Sequence, residues 1–137
     1  MRVKSINKKE TLFVRSKRET VVSVSTNNEK VVFSFENFSA NLHGLDCSAE
    51  EFKQLVKHLK ILSSTTWQTV QNSPRHGLGS EIINVNELSE NLPVCYNNKK
   101  EVLAFRYGGR KAFVGIRNEQ VLDILFIDPT FDLYDHE

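Results

Sequence analysis

The tightest constraint on this chain lies near its end. There Val121-Leu122-Asp123-Ile124-Leu125-Phe126-Ile127 is apolar at six of seven positions. Successive side chains of a strand point to opposite faces, so a run apolar at both parities needs cover on both sides and a central place in a sheet. Two further runs rich in β-branched and aromatic residues precede it, Val102 to Tyr107 and Lys111 to Arg117. Gly108-Gly109 separates the first pair, and glycine accepts the positive φ of a tight hairpin turn. Asn118-Glu119-Gln120 separates the second pair. The pattern predicts a three-stranded antiparallel meander across 101–127.

Upstream, Ser48-Ala49-Glu50-Glu51 has the spacing of a capping box, in which a hydroxyl and a carboxylate satisfy each other's exposed N–H groups at a helix start. Phe52, Leu55, Val56, Leu59 and Leu62 follow at helical spacing, with Lys53, Lys57 and Lys60 off that stripe. Ser63-Ser64 breaks the helix. Thr65-Thr66-Trp67-Gln68-Thr69-Val70-Gln71 predicts a second, short helix closed before Pro74, with Trp67 in the core. A break this short folds the two helices into a corner or hairpin over 48–72. Glu81 to Val85 reads as an edge strand. Leu12-Phe13-Val14, Val21 to Ser25 and Val31 to Phe35 predict extra N-terminal strands within 1–38, the last two joined by a turn at Asn27-Asn28-Glu29-Lys30. The fold class is α+β: a helical hairpin on an antiparallel sheet, in one domain spanning 1–137.

That length buries a core without staples. A net charge of +1 conceals an uneven spread. Met1 to Arg18 and Lys99 to Arg117 are basic, whereas no lysine or arginine follows Arg117. Asymmetry of this kind suits a polyanionic partner. Cys47 and Cys95 do not make a disulfide framework, and neither an apolar leader core nor a run near the roughly 20 residues of a membrane span is present. The expectation is a cytoplasmic protein with reduced thiols and no membrane contact.

His43, Cys47, His58, His76, Cys95 and His136 lack the paired spacing of a zinc site, so no metal and no cofactor is expected. Asp128, Asp132, Asp135 and His136 read as an acidic terminus rather than a cation cage. Arg75-His76, in a loop flanked by Gly77 and Gly79, pairs a phosphate-binding cation with a side chain that titrates near neutrality. A solvated turn is the plain alternative. Arg106, Arg110, Lys111 and Arg117 surround the meander, with Tyr107 and Tyr134 nearby. Cations on one sheet face would form a phosphate groove, and aromatic rings would stack bases as single-strand RNA binders do.

The order of elements from Ser48 to about His136 resembles the RelE-type toxins, ribosome-associated mRNA interferases of bacterial toxin–antitoxin pairs. The similarity is most specific from Gly109-Arg110-Lys111-Ala112-Phe113 through Leu125-Phe126-Ile127 to Tyr134. The resemblance implies that Arg110 binds the scissile phosphate and that Tyr134 is the terminal aromatic, stacking on a base or assisting proton transfer. Arg75-His76 has no counterpart in the motif. Where the family places a Lys/Arg/His cluster, this chain has Asp128-Pro129-Thr130-Phe131-Asp132, which opposes RNA and charge stabilisation.

Two functions are therefore expected from the sequence. One is a RelE-like ribonuclease acting on RNA or the ribosome without a metal, with Arg110, Tyr134 and His76 catalytic and Arg75, Arg106, Lys111, Arg117 and Tyr107 holding the RNA; a cognate antitoxin would be its protein partner. The other is a non-catalytic interaction module, such as a phage or mobile-element accessory protein.

Overall fold

The computed structural model describes residues 25–39, 47–109, 111–129 and 133–134. Their elements run β1 (Val32–Ser34), α1 (Ala49–Ser63), α2 (Trp67–Gln71), β2 (Ser80–Asn84), β3 (Glu101–Gly108), β4 (Lys111–Asn118) and β5 (Val121–Asp128). The strands form one five-stranded sheet in the order β1-β5-β4-β3-β2. The expected strands at Leu12–Val14 and Val21–Ser25 lie outside the described residues, except for Ser25.

The meander forms as its pattern dictates. β3, β4 and β5 pair antiparallel, and β2 adds antiparallel to β3 as an edge. β5 is an interior strand, between β4 and β1, and Leu122 to Asp128 are all buried. The sheet is nevertheless mixed, because β1 pairs parallel with β5, from Val32 opposite Val121 to Ser34 opposite Asp123. An antiparallel hairpin signal is local, whereas this parallel pairing joins segments separated by both helices and three strands. In the first hairpin turn Gly109 takes positive φ, at 62°, whereas Gly108 still belongs to β3. Glu119 supplies the second turn, at 58°.

Alternation along the strands divides the core into two layers. On the helix side, Leu103, Phe105, Tyr107, Phe113, Leu122, Ile124 and Ile127 meet Leu55, Leu62, Trp67 and Val70. On the other face, Val102, Ala104, Ala112, Val114, Ile116, Leu125 and Phe126 pack beneath Tyr96, Leu133 and Tyr134. Ile124 and Leu125 face opposite layers as alternation requires, but Phe126 shares Leu125's layer. A register shift at this point pairs Val114 with Phe126 and Gly115 with Ile124, leaving Leu125 as the extra residue of a bulge.

The capping box forms in full: Ser48 Oγ accepts from the Glu51 N–H at 3.1 Å, and Glu51 Oε1 accepts from the Ser48 N–H at 2.8 Å. Leu55 and Leu62 of α1 are buried against the sheet, each contributing about 1.5–3 kcal/mol. Phe52 and Val56, expected on the same stripe, are instead 56% and 47% exposed. α2 is short but firmly seated. The Trp67 and Gln68 N–H groups donate to the Glu29 and Asn27 carbonyls, and Trp67 Nε1 donates to the Gln120 carbonyl at 2.9 Å.

Among the described residues no α-helix covers the second layer; the connection after β2, with short 3-10 turns at Val85–Glu87 and Val94–Tyr96, does. The Asp128 carboxylate, fully buried, accepts the Leu133 N–H at 3.1 Å, and the Ser89 N–H donates to the Leu133 carbonyl at 2.7 Å. Asp128 is thus an anchor for the returning chain. Asp123, the polar exception of β5, is tied in at Oδ2 by Tyr96 Oη and Asn37 Nδ2, each at 2.7 Å.

Candidate functional site

Arg75 and His76 enter the structure on the loop between α2 and β2. Glycine at 79 is obligatory there, because a Cβ would lie 2.0 Å from the Ser73 carbonyl oxygen. This tight loop brings both side chains to the end of β3. A cleft of about 350 Å³ opens there, lined by His58, His76, Gly77, Leu78, Arg106, Tyr107, Gly108 and Gly109. A volume of that size is at the lower end of the range for small-ligand sites.

Glu81 organises the cations beside the cleft. Its Oε2 accepts from Arg75 Nη1 at 3.0 Å, and its Oε1 accepts from Arg106 Nη2 at 3.1 Å and Nε at 3.3 Å. Arg106 is 6% exposed whereas Arg75 is 41% exposed. Burial makes Arg106 a fixed positive charge held by a carboxylate, while Arg75 reaches solvent. Arg75 Nε also lies 3.5 Å from His76 Nε2. Lys111 is paired across from Gly108, at the same end of the meander.

Among the described residues, the other expected site residues are core residues or lie away from the cleft; Tyr107 lines the cleft from within the core. Tyr107 is buried on the helix side, 4.0 Å from Cys47 Sγ, and burial raises its hydroxyl pKa far above the ordinary value. A ring placed there packs the core and does not stack a base. Tyr134 is buried on the helix-free face, near Glu81 and Arg106. Burial, reinforced by Glu81, pushes its pKa up to about 12. It therefore keeps its proton at neutral pH. Arg117 sits at the opposite end of β4, six residues and roughly 20 Å from Lys111. Its guanidinium lies 4.2 Å from the centre of the Trp67 ring and donates to the Glu119 carbonyl, Thr26 and Asn27. Burial lowers its pKa, and its bonds clamp two turns together. Arg110, with Asp132, Asp135 and His136, lies outside the described residues.

His58 was not singled out by its sequence position, yet it lines the cleft. Its ring packs edge-on against Phe113 at 6.2 Å, and burial lowers its pKa, so the imidazole is neutral at pH 7. His58 Nε2 and Gln54 Oε1, one turn apart on α1, are both buried without a hydrogen-bond partner. The signal available in the sequence was a histidine set between Leu55, Leu59 and Leu62. Among the described residues no three His, Cys, Asp or Glu side chains gather as a metal site, and no helix is long and apolar enough to cross a membrane. No family model, curated protein or solved structure matches this chain.

Proposed function

We propose that the chain binds RNA at the His76 cleft and cleaves it there with side chains alone; the resemblance to RelE-type toxins suggests the reaction, although His76 has no counterpart in their motif. The observation that carries this reading is the meeting of His76, Arg75 and Arg106 at one end of β3, with Glu81 fixing both guanidiniums. Phosphodiester transfer to a neighbouring hydroxyl needs a proton acceptor, a proton donor and positive charge at the phosphate. His76 accepts the proton of the 2′-hydroxyl. The O2′–P bond forms as the P–O5′ bond breaks, and the O5′ atom leaves as a hydroxyl after taking a proton from solvent. A 2′,3′-cyclic phosphate remains on the upstream fragment. Arg75, the more exposed of the two arginines, meets the non-bridging oxygens, and Arg106 stands behind it as part of the fixed field.

The test is incubation of end-labelled single-stranded RNA with the purified protein, resolving the products by size and terminal chemistry. Cleavage leaving cyclic-phosphate ends is expected, and His76→Ala should slow it by about 10²–10⁴-fold. Intact RNA, together with no RNA binding in a filter assay, refutes the reading.

A non-catalytic interaction module is the second reading, favoured by the exposed Phe52 and Val56 on α1. RNA left intact, together with loss of a protein partner on Phe52→Ser, would select it.

A further inference from the structure

At the far end of β3 from His76, the helix-side face of the sheet is only partly covered. Register places Ile82, Leu103 and Gly115 in one row across β2, β3 and β4. Ile82 is 63% exposed, Leu103 is half-buried, and Gly115 adds no side chain, so the row forms the floor of a trough. Two cavities, of about 510 and 240 Å³, share Ile82, Leu103 and Arg117 and make that trough continuous. Lys99 and Lys100, both exposed, stand on its rim beside Arg117, with Glu101 as the opposing charge. β2 flanks the trough and is the outermost strand of the sheet on that side among the described residues.

Three features therefore coincide: an aliphatic floor, a rim with more cations than anions, and a sheet edge. An outermost strand offers unpaired main-chain N–H and C=O groups along its length, which is the template for adding a strand from another chain. We propose that this trough is the docking site for an extended acidic segment of a partner protein. The segment pairs with the outer edge of β2, sets apolar side chains beside Ile82 at the margin of the trough, and brings the carboxylates at its end to Lys99 and Lys100. A strand's period of two puts the apolar side chains on the Ile82 face and the intervening carboxylates on the other, so the ion pairs with Lys99 and Lys100 form at the end of the segment. A small amphiphile is disfavoured, since tight small-ligand sites enclose roughly 70–90% of their occupant and Ile82 here lies open. Single-stranded RNA is disfavoured as well, because bases need an aromatic platform, and the Trp67 ring is buried beneath the Arg117 guanidinium. The site is independent of the proposed nuclease cleft, which lies at the other end of the same strand.

The experiment uses the full chain and three fluorescein-labelled synthetic octapeptides. One alternates glutamate with valine, one alternates lysine with valine, and one repeats the acidic sequence with alternate backbone nitrogens methylated. Fluorescence anisotropy should rank the acidic peptide at least roughly tenfold above both others. Amide resonances of Ser80 to Asn84 should shift as it binds, and the Lys99→Glu/Lys100→Glu double variant should reverse the charge preference. The proposal is overturned if the acidic peptide fails to bind, if charge or backbone methylation is without effect, or if the shifts map away from β2. Displacement of the peptide by decanoate or by polyuridylate at lower concentration than unlabelled peptide overturns it too, and assigns the trough to an amphiphile or to RNA.

Discussion

Replacing Gly115 with alanine tests the bulge that sets the register of β4 against β5. A Cβ built on Gly115 lies 2.5 Å from the Asp123 carbonyl oxygen, 3.1 Å from its carbon and 3.2 Å from Leu122 Cγ. The first two atoms are backbone of an interior strand, held between β4 and β1, so neither yields as a flexible side chain would. Relief requires the strands to separate by several tenths of an ångström at a fully buried point. Overpacking of this kind typically costs about 1–3 kcal/mol. For a domain of this size each kcal/mol lowers the melting temperature by roughly 3–5 °C, so Gly115→Ala should melt about 3–15 °C below the parent. Gly77→Ala is the matched control. Its Cβ meets the Pro74 carbonyl oxygen at an ordinary 3.6 Å, and its φ is not positive. That variant should be neutral, or more stable by about 0.4–1 kcal/mol through a less flexible unfolded chain. Urea unfolding followed by far-UV circular dichroism measures both. If Gly115→Ala is as stable as Gly77→Ala, the close approach of β5 to Gly115 is refuted.

All three tyrosines, Tyr96, Tyr107 and Tyr134, have pKa values raised by burial. A spectrophotometric titration at about 295 nm should therefore show every tyrosine ionising above the ordinary pH 10; a reversible transition of even one tyrosine near 10 would refute the burial. His58 provides the acid-side test. Its folded pKa lies below the ordinary 6.5, so the unfolded chain binds the extra proton and stability falls as pH drops below that value. His58→Leu should lose this component, so its urea midpoint should gain on the parent's between about pH 7.5 and pH 5; a gap that stays constant across that range would sink the assignment.

The helix start at Ser48 and the two hairpins of the meander were legible in the sequence because their causes are local. A capping box spans four residues, a turn needs a residue that accepts positive φ, and an apolar run at both parities demands a central strand. The pairing of Arg75 with His76 was equally plain, since the two are neighbours in the chain. Other assignments depended on what lies across from each residue. Arg106 and Arg117 belong to the same basic meander, but one is buried against Glu81 and the other is stacked on Trp67 at the opposite end. Phe52 and Leu55 share a helical stripe, yet only Leu55 meets the sheet, and His58 on that stripe opens to the cleft. Periodicity tells which residues share a face, and it is silent on what covers that face. The sequence by itself therefore determined the helix, the hairpins and the interior place of the last strand. Tertiary structure alone decided the parallel seam of β1 on β5, the fate of each cation, and the exposed trough beside β2, because each arises from contacts between segments distant in the chain.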